Sequence, residues 1–176
     1  MADSGLLSPR PSALDEDAFV ARYGDVYEHS PWIARQAHRA GLRAGDDTAA
    51  GLAARLAAVF DAADASAQLA VLRAHPDLAG KLAVGGGLTA DSSAEQAGAG
   101  LDQCTPGEFE RFQALNAAYR ARFDFPFIVA VRGLHRREIL QAFEARLGND
   151  ADTERATAVA QVNRIARLRL IARAGG

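Results

Sequence analysis

Residues 123–131 read FDFPFIVAV, a continuous apolar run of aromatic and β-branched residues with Pro126 in its middle. A run of this kind suits a buried strand, but proline donates nothing to a strand ladder and its ring breaks a helix interior. The segment is therefore expected to be a buried extended stretch outside any sizeable sheet. Elsewhere alanine, leucine and arginine dominate and strand-forming runs are scarce. Helices must build the rest. The expected fold is all-α, a single-domain multi-helix bundle of about eight helices with one short buried extended segment.

The helix boundaries can be read from local signals. TPGEFERFQALNAAYRARF opens with Thr105 as N-cap, Pro106 at the first helical position and Glu108 completing a capping box. Acids at the head of DEDAFVARYGDVYEHS suit a helix N-terminus. Ser30 is the expected cap of PWIARQAHRAGL, with Pro31 at its first turn, and Asp46 or Asp47 the cap of TAAGLAARLAAVFDAA. In the latter, Leu52, Leu56, Val59 and Phe60 recur at helical spacing. Asp64 or Ser66 starts AQLAVLRAH; RREILQAFEARL and DTERATAVAQVNRIARLRLIARA close the chain. Residues 1–14, with Pro9, Pro11 and scattered Ser and Gly, read as a loose N-terminal arm, leaving 15–173 as one helical domain.

Charge and composition remove several function classes. Over 176 residues, 20 basic and 22 acidic side chains are interleaved, which leaves no concentrated basic face for nucleic acid. The single cysteine, Cys104, excludes an intramolecular disulfide and a multi-thiolate zinc site. His29, His38, His75 and His135 lack metal-ligand spacing, so no metal is expected. No apolar run reaches the ~18 residues of a membrane span, and residues 1–20 do not resemble a secretory signal. The ending ARAGG is not an SKL-type peroxisomal address, so the cytoplasm is the expected location. Gly85-Gly86-Gly87 lacks the Gly-Lys-Ser/Thr of a phosphate loop. Lys81, the only lysine, and Cys104 remain weak options as nucleophiles.

Four features break the helical pattern. On the last helix, Val162, Ile165 and Arg169 lie within about 40° of the direction of Ala158, which places an arginine on the apolar stripe. It either snorkels out at the helix end or presents a planar donor fork to a polar ligand. Asn116 sits within the stripe Phe109, Phe112, Tyr119, Phe123 and is expected to hydrogen-bond structurally. His75 precedes Pro76 at a helix end; an unperturbed imidazole titrates near neutrality, which makes histidine the usual candidate for proton transfer. Ser92, Glu95 and Gln96 share a helix face at i, i+3, i+4 spacing, although Ser-x-x-Glu is also a capping box.

Four blocks in order, HPDLAGKL, SSAEQAGAGL, FQALNAAYRARFDFPFIVAVRG and EILQAFEARLGND followed by Glu154 and VNRIARLRL, resemble one family. It is the 2-oxo-4-hydroxy-4-carboxy-5-ureidoimidazoline (OHCU) decarboxylases of urate degradation; VYEHSPWIARQA also resembles its N-terminal segment. The resemblance covers roughly residues 15–171. It implies an all-helical homodimer, without metal or organic cofactor, that converts OHCU to (S)-allantoin. It further implies His75 and Glu95 as catalytic residues, and Pro76, Ser92, Glu95, Gln96, Phe127, Ile128, Val129, Ala130, Val131 and Arg169 as substrate contacts.

Two other classes compete with this expectation. One is another ureido-compound enzyme, such as an allantoin racemase or hydrolase. The other is a helical interaction module with a dead pocket, in which the polar side chains of the loop would be lost while the helix stripes survive.

Overall fold

A computed structural model describes residues 5–80 and 86–175. In chain order the helices are α1 (Glu16–Tyr23), α2 (Trp32–Arg39), α3 (Ala49–Asp61), α4 (Ala65–Ala74), α5 (Ala90–Gly98), α6 (Pro106–Phe123), α7 (Arg136–Leu147) and α8 (Ala151–Ala174). Short 3₁₀ turns occupy Pro11–Ala13, Ala44–Asp47 and Leu101–Gln103. Among the described residues there is no strand; Leu6 and Thr48 form an isolated bridge. The all-α expectation holds.

The chain divides into two compact units, one of residues up to 74 together with those from 162 onward, the other of residues 75–161. In the first, Phe19, Tyr23, Ile33, Leu52, Leu56, Phe60 and Leu170 are fully buried. Each such side chain contributes about 1.5–3 kcal/mol of burial energy. Asp15 caps α1 by accepting from Ala18 N at 2.8 Å. Glu16, in the first turn, accepts from both Arg35 and Arg39, which stand one turn apart on α2. These ion pairs fix how α1 lies on α2.

Several boundaries differ from the sequence reading, because Asp46 and Ser30 take competing partners close by and Asp47 takes a distant one. Thr48, not Asp46 or Asp47, caps α3, its hydroxyl accepting from Gly51 N at 3.0 Å. Asp46 instead accepts from Arg43 N within its 3₁₀ turn, and Asp47 accepts from both Ser12 N and Ser12 Oγ. That second pair ties down the expected arm: Leu7 is buried, and Leu7 N donates to Asp47 O. Ser30 does not cap α2. Its hydroxyl donates to Glu28 O, and Pro31 occupies the cap position. Asp64 does start α4, accepting from Ala67 N.

In the second unit the expected entry to α6 is present, with Thr105 and Glu108 exchanging bonds of 3.2 and 3.0 Å. The apolar run forms no strand after α6 ends at Phe123, and Phe125, Phe127, Ile128, Ala130 and Val131 are buried. Phe127 stacks on Phe143 at 4.0 Å between centroids, while Tyr119 meets both rings edge-on. The aromatic cluster supplies the burial that an irregular backbone needs.

Candidate active site

His75 follows α4 and is buried, 7% exposed. Pro76 restricts it to an extended entry into the loop Asp77–Gly80. Ala79, also buried, has φ 49°, a left-handed conformation that costs a non-glycine residue roughly 1–2 kcal/mol. The next residue has to be glycine. A Cβ at Gly80 would stand 2.9 Å from Asp77 Cβ, closer than carbon atoms pack.

Side chains of α5 and α6 hold this loop. Gln96 accepts from Ala79 N at 3.0 Å and donates to Asp77 O at 3.3 Å. Asn116 Nδ2 donates to Leu78 O at 3.0 Å, and Gln113 Nε2 to Ala79 O at 2.8 Å. Arg120 Nε meets the Asp77 carboxylate at 2.9 Å. Irregular backbone buried in a protein must find such partners, so these bonds explain how a buried loop is tolerated.

The face of α5 expected to carry chemistry is thereby joined to the loop through Gln96. Ser92 is buried and Glu95 half-buried on that same face, at the expected helical spacing. The start of α5 settles one ambiguity: Thr89 is the cap, its hydroxyl accepting from Ser92 N, so Ser92 lies inside the helix. Asn116 has the structural hydrogen bond expected of it.

The backbone of 127–131 is held by a different set. Arg146 Nη1 donates to Ile128 O at 2.6 Å and its guanidinium lies over the Phe127 ring, 4.4 Å from the centroid. Gln161 Oε1 accepts from Ala130 N at 2.9 Å. Arg146 is itself fixed by Glu154, a fully buried carboxylate that also accepts from Tyr119 Oη at 2.6 Å and Asn149 Nδ2 at 2.9 Å. Burial, and then the Glu154 carboxylate, push the Tyr119 phenol far up, so it stays a donor. Val129 is the half-buried member of the segment. Thus α6 supports both structures, the histidine loop through Asn116 and the apolar segment through Tyr119.

Arg169 belongs to the first unit. It does not snorkel: its side chain is 3% exposed, and Nη1 donates to Glu28 Oε2 at 2.9 Å. Arg164 and Arg167, which lie off the stripe of Ala158, Val162 and Ile165, are exposed. Also in the first unit, a groove of about 540 Å³ is lined by Ala53, Ala57, Arg164 and Leu168, and by none of the expected site residues. Lys81 and Gly85 lie outside the described residues; Cys104 is half-buried and its thiol is pushed up, chiefly by burial, which argues against a nucleophile. Among the described residues no group of His, Cys, Asp or Glu could hold a metal ion.

Sequence reading missed Gln113, Arg120, Arg146, Glu154 and Glu28. Asn116 stands out because it interrupts an apolar face; Gln113 and Arg120 flank that face and look like ordinary solvated residues. Glu154 lay at a helix start, where an acid has a routine explanation.

The family described as OHCU decarboxylase matches residues 12–171. A 2-oxo-4-hydroxy-4-carboxy-5-ureidoimidazoline decarboxylase of Haloferax volcanii is 40% identical over 160 residues, 91% of each chain. One of Halalkalicoccus jeotgali is 42% identical over 156 residues, covering 89% of this chain and 85% of its own. Among solved structures, a crystal structure of (S)-allantoin synthase superposes with a TM-score of 0.71 at 28% identity. That match covers 93% of this chain and 52% of the other, so the chain spans about half of that protein's length.

Proposed function

The chain belongs to the OHCU decarboxylase family, and from that premise we propose how its residues carry out the reaction. The protein is a carboxy-lyase that converts OHCU to (S)-allantoin in urate degradation. The C–C bond to the carboxylate breaks, CO₂ leaves, and its electron pair passes into the neighbouring ring C=N, whose nitrogen takes up a proton from solvent. The hydroxyl on the carbon that lost CO₂ then gives up its proton and becomes the ring carbonyl. A proton arrives on the ureido-bearing carbon, and the face of its arrival sets the S configuration.

His75 is the residue that moves protons in this scheme, taking one from the hydroxyl and returning one to carbon. The observation that carries the assignment is the buried position of His75 beside a loop whose backbone is gripped by side chains. General acid–base assistance of this kind contributes about 10²–10⁴-fold. Glu95 orients or polarises the reacting hydroxyl, Ser92 and Gln96 hold polar groups of the substrate beside Pro76, and the backbone of Phe127, Ile128, Val129, Ala130 and Val131 contacts the ring. The resemblance supports Arg169 as an orienting residue for the ureido and ring groups. A grip on the departing carboxylate that was equally tight in the ground state would not speed its loss.

By the same resemblance the working form is a homodimer that needs neither metal nor organic cofactor; the cytoplasm is proposed as its location on the sequence reading alone. No helix among the described residues is long and apolar enough to cross a membrane. The test is to add the protein to freshly generated OHCU and follow optical activity. Allantoin of one hand should form well ahead of spontaneous decay, whereas racemic product at the spontaneous rate would overturn the reading.

A further inference from the structure

We infer that one face of α6, carrying Gln113, Asn116 and Arg120, is a positioning device for His75; the inference rests on the proton-transfer role proposed above. Three successive carbonyls of the loop each accept from a side-chain amide: Asp77 O from Gln96, Leu78 O from Asn116 and Ala79 O from Gln113. The Asp77 carboxylate is held in addition by Arg120. Positions 113, 116 and 120 stand one turn apart on one side of the helix, so a single rigid element sets the loop from three points.

The loop would otherwise relax. Ala79 is held left-handed because its N–H is taken by Gln96 and its C=O by Gln113. Releasing either lets the residue return to the conformation that its Cβ favours. Between the first gripped carbonyl, Asp77 O, and the imidazole there is only Pro76, whose ring fixes its own φ. A shift of the loop is therefore passed on to His75 with little slack. Placement of a catalytic group matters steeply, since misplacement by about 1 Å can cost 10²-fold in rate. Gln113 and Arg120 reach no further than the loop, so they act through His75 and are positioning rather than catalytic residues.

The experiment compares Gln113→Met, Asn116→Asp, Arg120→Met and Arg120→Lys with the wild-type full chain. It measures kcat, KM, melting temperature and the enantiomeric purity of the allantoin, with enzyme in excess over spontaneous decay. Gln113 is half-exposed and Arg120 exposed, so their variants keep the fold. Gln113→Met should lower kcat by about tenfold or more, with KM changed less than about twofold. Arg120→Met should lower kcat and erode enantiomeric purity, and Arg120→Lys should restore both by keeping a cation beside Asp77. Asn116→Asp, which sets a carboxylate against Leu78 O, should be the most damaging; if it does not fold, the Gln113 and Arg120 variants decide. Wild-type kcat and product purity in folded Gln113→Met and Arg120→Met would overturn the inference, as would losses confined to KM or melting temperature. His75→Asn separates the two levels. If it keeps the wild-type rate, the proton-transfer reading fails; if it is inactive while the α6 variants are unimpaired, the positioning inference alone falls.

Discussion

Arg169 and Glu28, 141 residues apart in sequence, form a buried ion pair with Nη1 2.9 Å from Oε2 and side chains 3% and 2% exposed. Neither charge could be placed there alone, because an isolated buried ion meets a desolvation penalty that only a partner offsets. Glu28 is in turn set by its own segment, where Ser30 Oγ donates to Glu28 O.

Breaking that pair should be costly. Glu28→Leu leaves a buried guanidinium without its counter-charge, an expected loss of about 3–5 kcal/mol measurable by urea unfolding. The double variant Glu28→Leu/Arg169→Met should be more stable than Glu28→Leu. If the two single changes simply add, the pair is not coupled as its geometry indicates.

His75→Asn keeps size and polarity but removes the imidazole that would carry the proton. It should fold, by circular dichroism, and lose about 10²–10⁴-fold in kcat. Any allantoin formed should approach the racemate of spontaneous decay. A folded variant that makes (S)-allantoin at the native rate refutes the assignment.

Gly80→Ala tests the loop from its covalent side. The added methyl would sit 2.9 Å from Asp77 Cβ and 3.3 Å from Asp77 O, so the loop has to move. Overpacking of this sort costs about 1–3 kcal/mol. Activity should fall with it, because the same turn carries His75; a variant with native melting temperature and rate would show that the turn has room to spare.

Acid should weaken the fold through two carboxylates. Glu16 is held at about 2, against an ordinary 4.5, first by hydrogen bonding to Arg39 and then to Arg35. Glu108 is held at about 2 by the Thr105 backbone N–H and then by Arg136. Each folded-state value lies below the unfolded one, so the stabilisation is complete above pH 4.5 and is lost as pH falls through about 2. Chemical unfolding across that window should show the slope, and Glu108→Gln should flatten its share. An unchanged slope in that variant would mean that Glu108 titrates alike in both states.

The start of α6 was legible because every part of it is local. Thr105, Pro106 and Glu108 lie within four positions, and the capping bonds that Thr105 and Glu108 exchange stay within that turn. Asp46 and Asp47 have equally good capping chemistry but are drawn to Arg43 and Ser12, and Thr48 takes the cap. For Asp47 local preference was outbid by a partner 35 residues away, and for Asp46 by one three residues away. Among the candidate residues, periodicity picked out Arg169, Asn116 and the Ser92–Gln96 face. It had no means of picking out Glu28 or Gln113, whose importance lies in what they touch.

The sequence by itself determined an all-helical chain, because Pro126 disqualifies its one strand-like run and the remaining apolar positions recur at helical spacing. Through its resemblance to a family, it also named the residues expected to do chemistry. Only the tertiary structure decided what holds them. The carbonyls of Asp77, Leu78 and Ala79 find their donors on α5 and α6, and the carboxylate of Glu154 secures Arg146 beneath Ile128. The physical reason is that burial obliges each backbone polar group to find a partner without specifying which. A helix pattern is written in neighbours a few positions apart, whereas these partners are chosen by which elements the folded chain brings side by side.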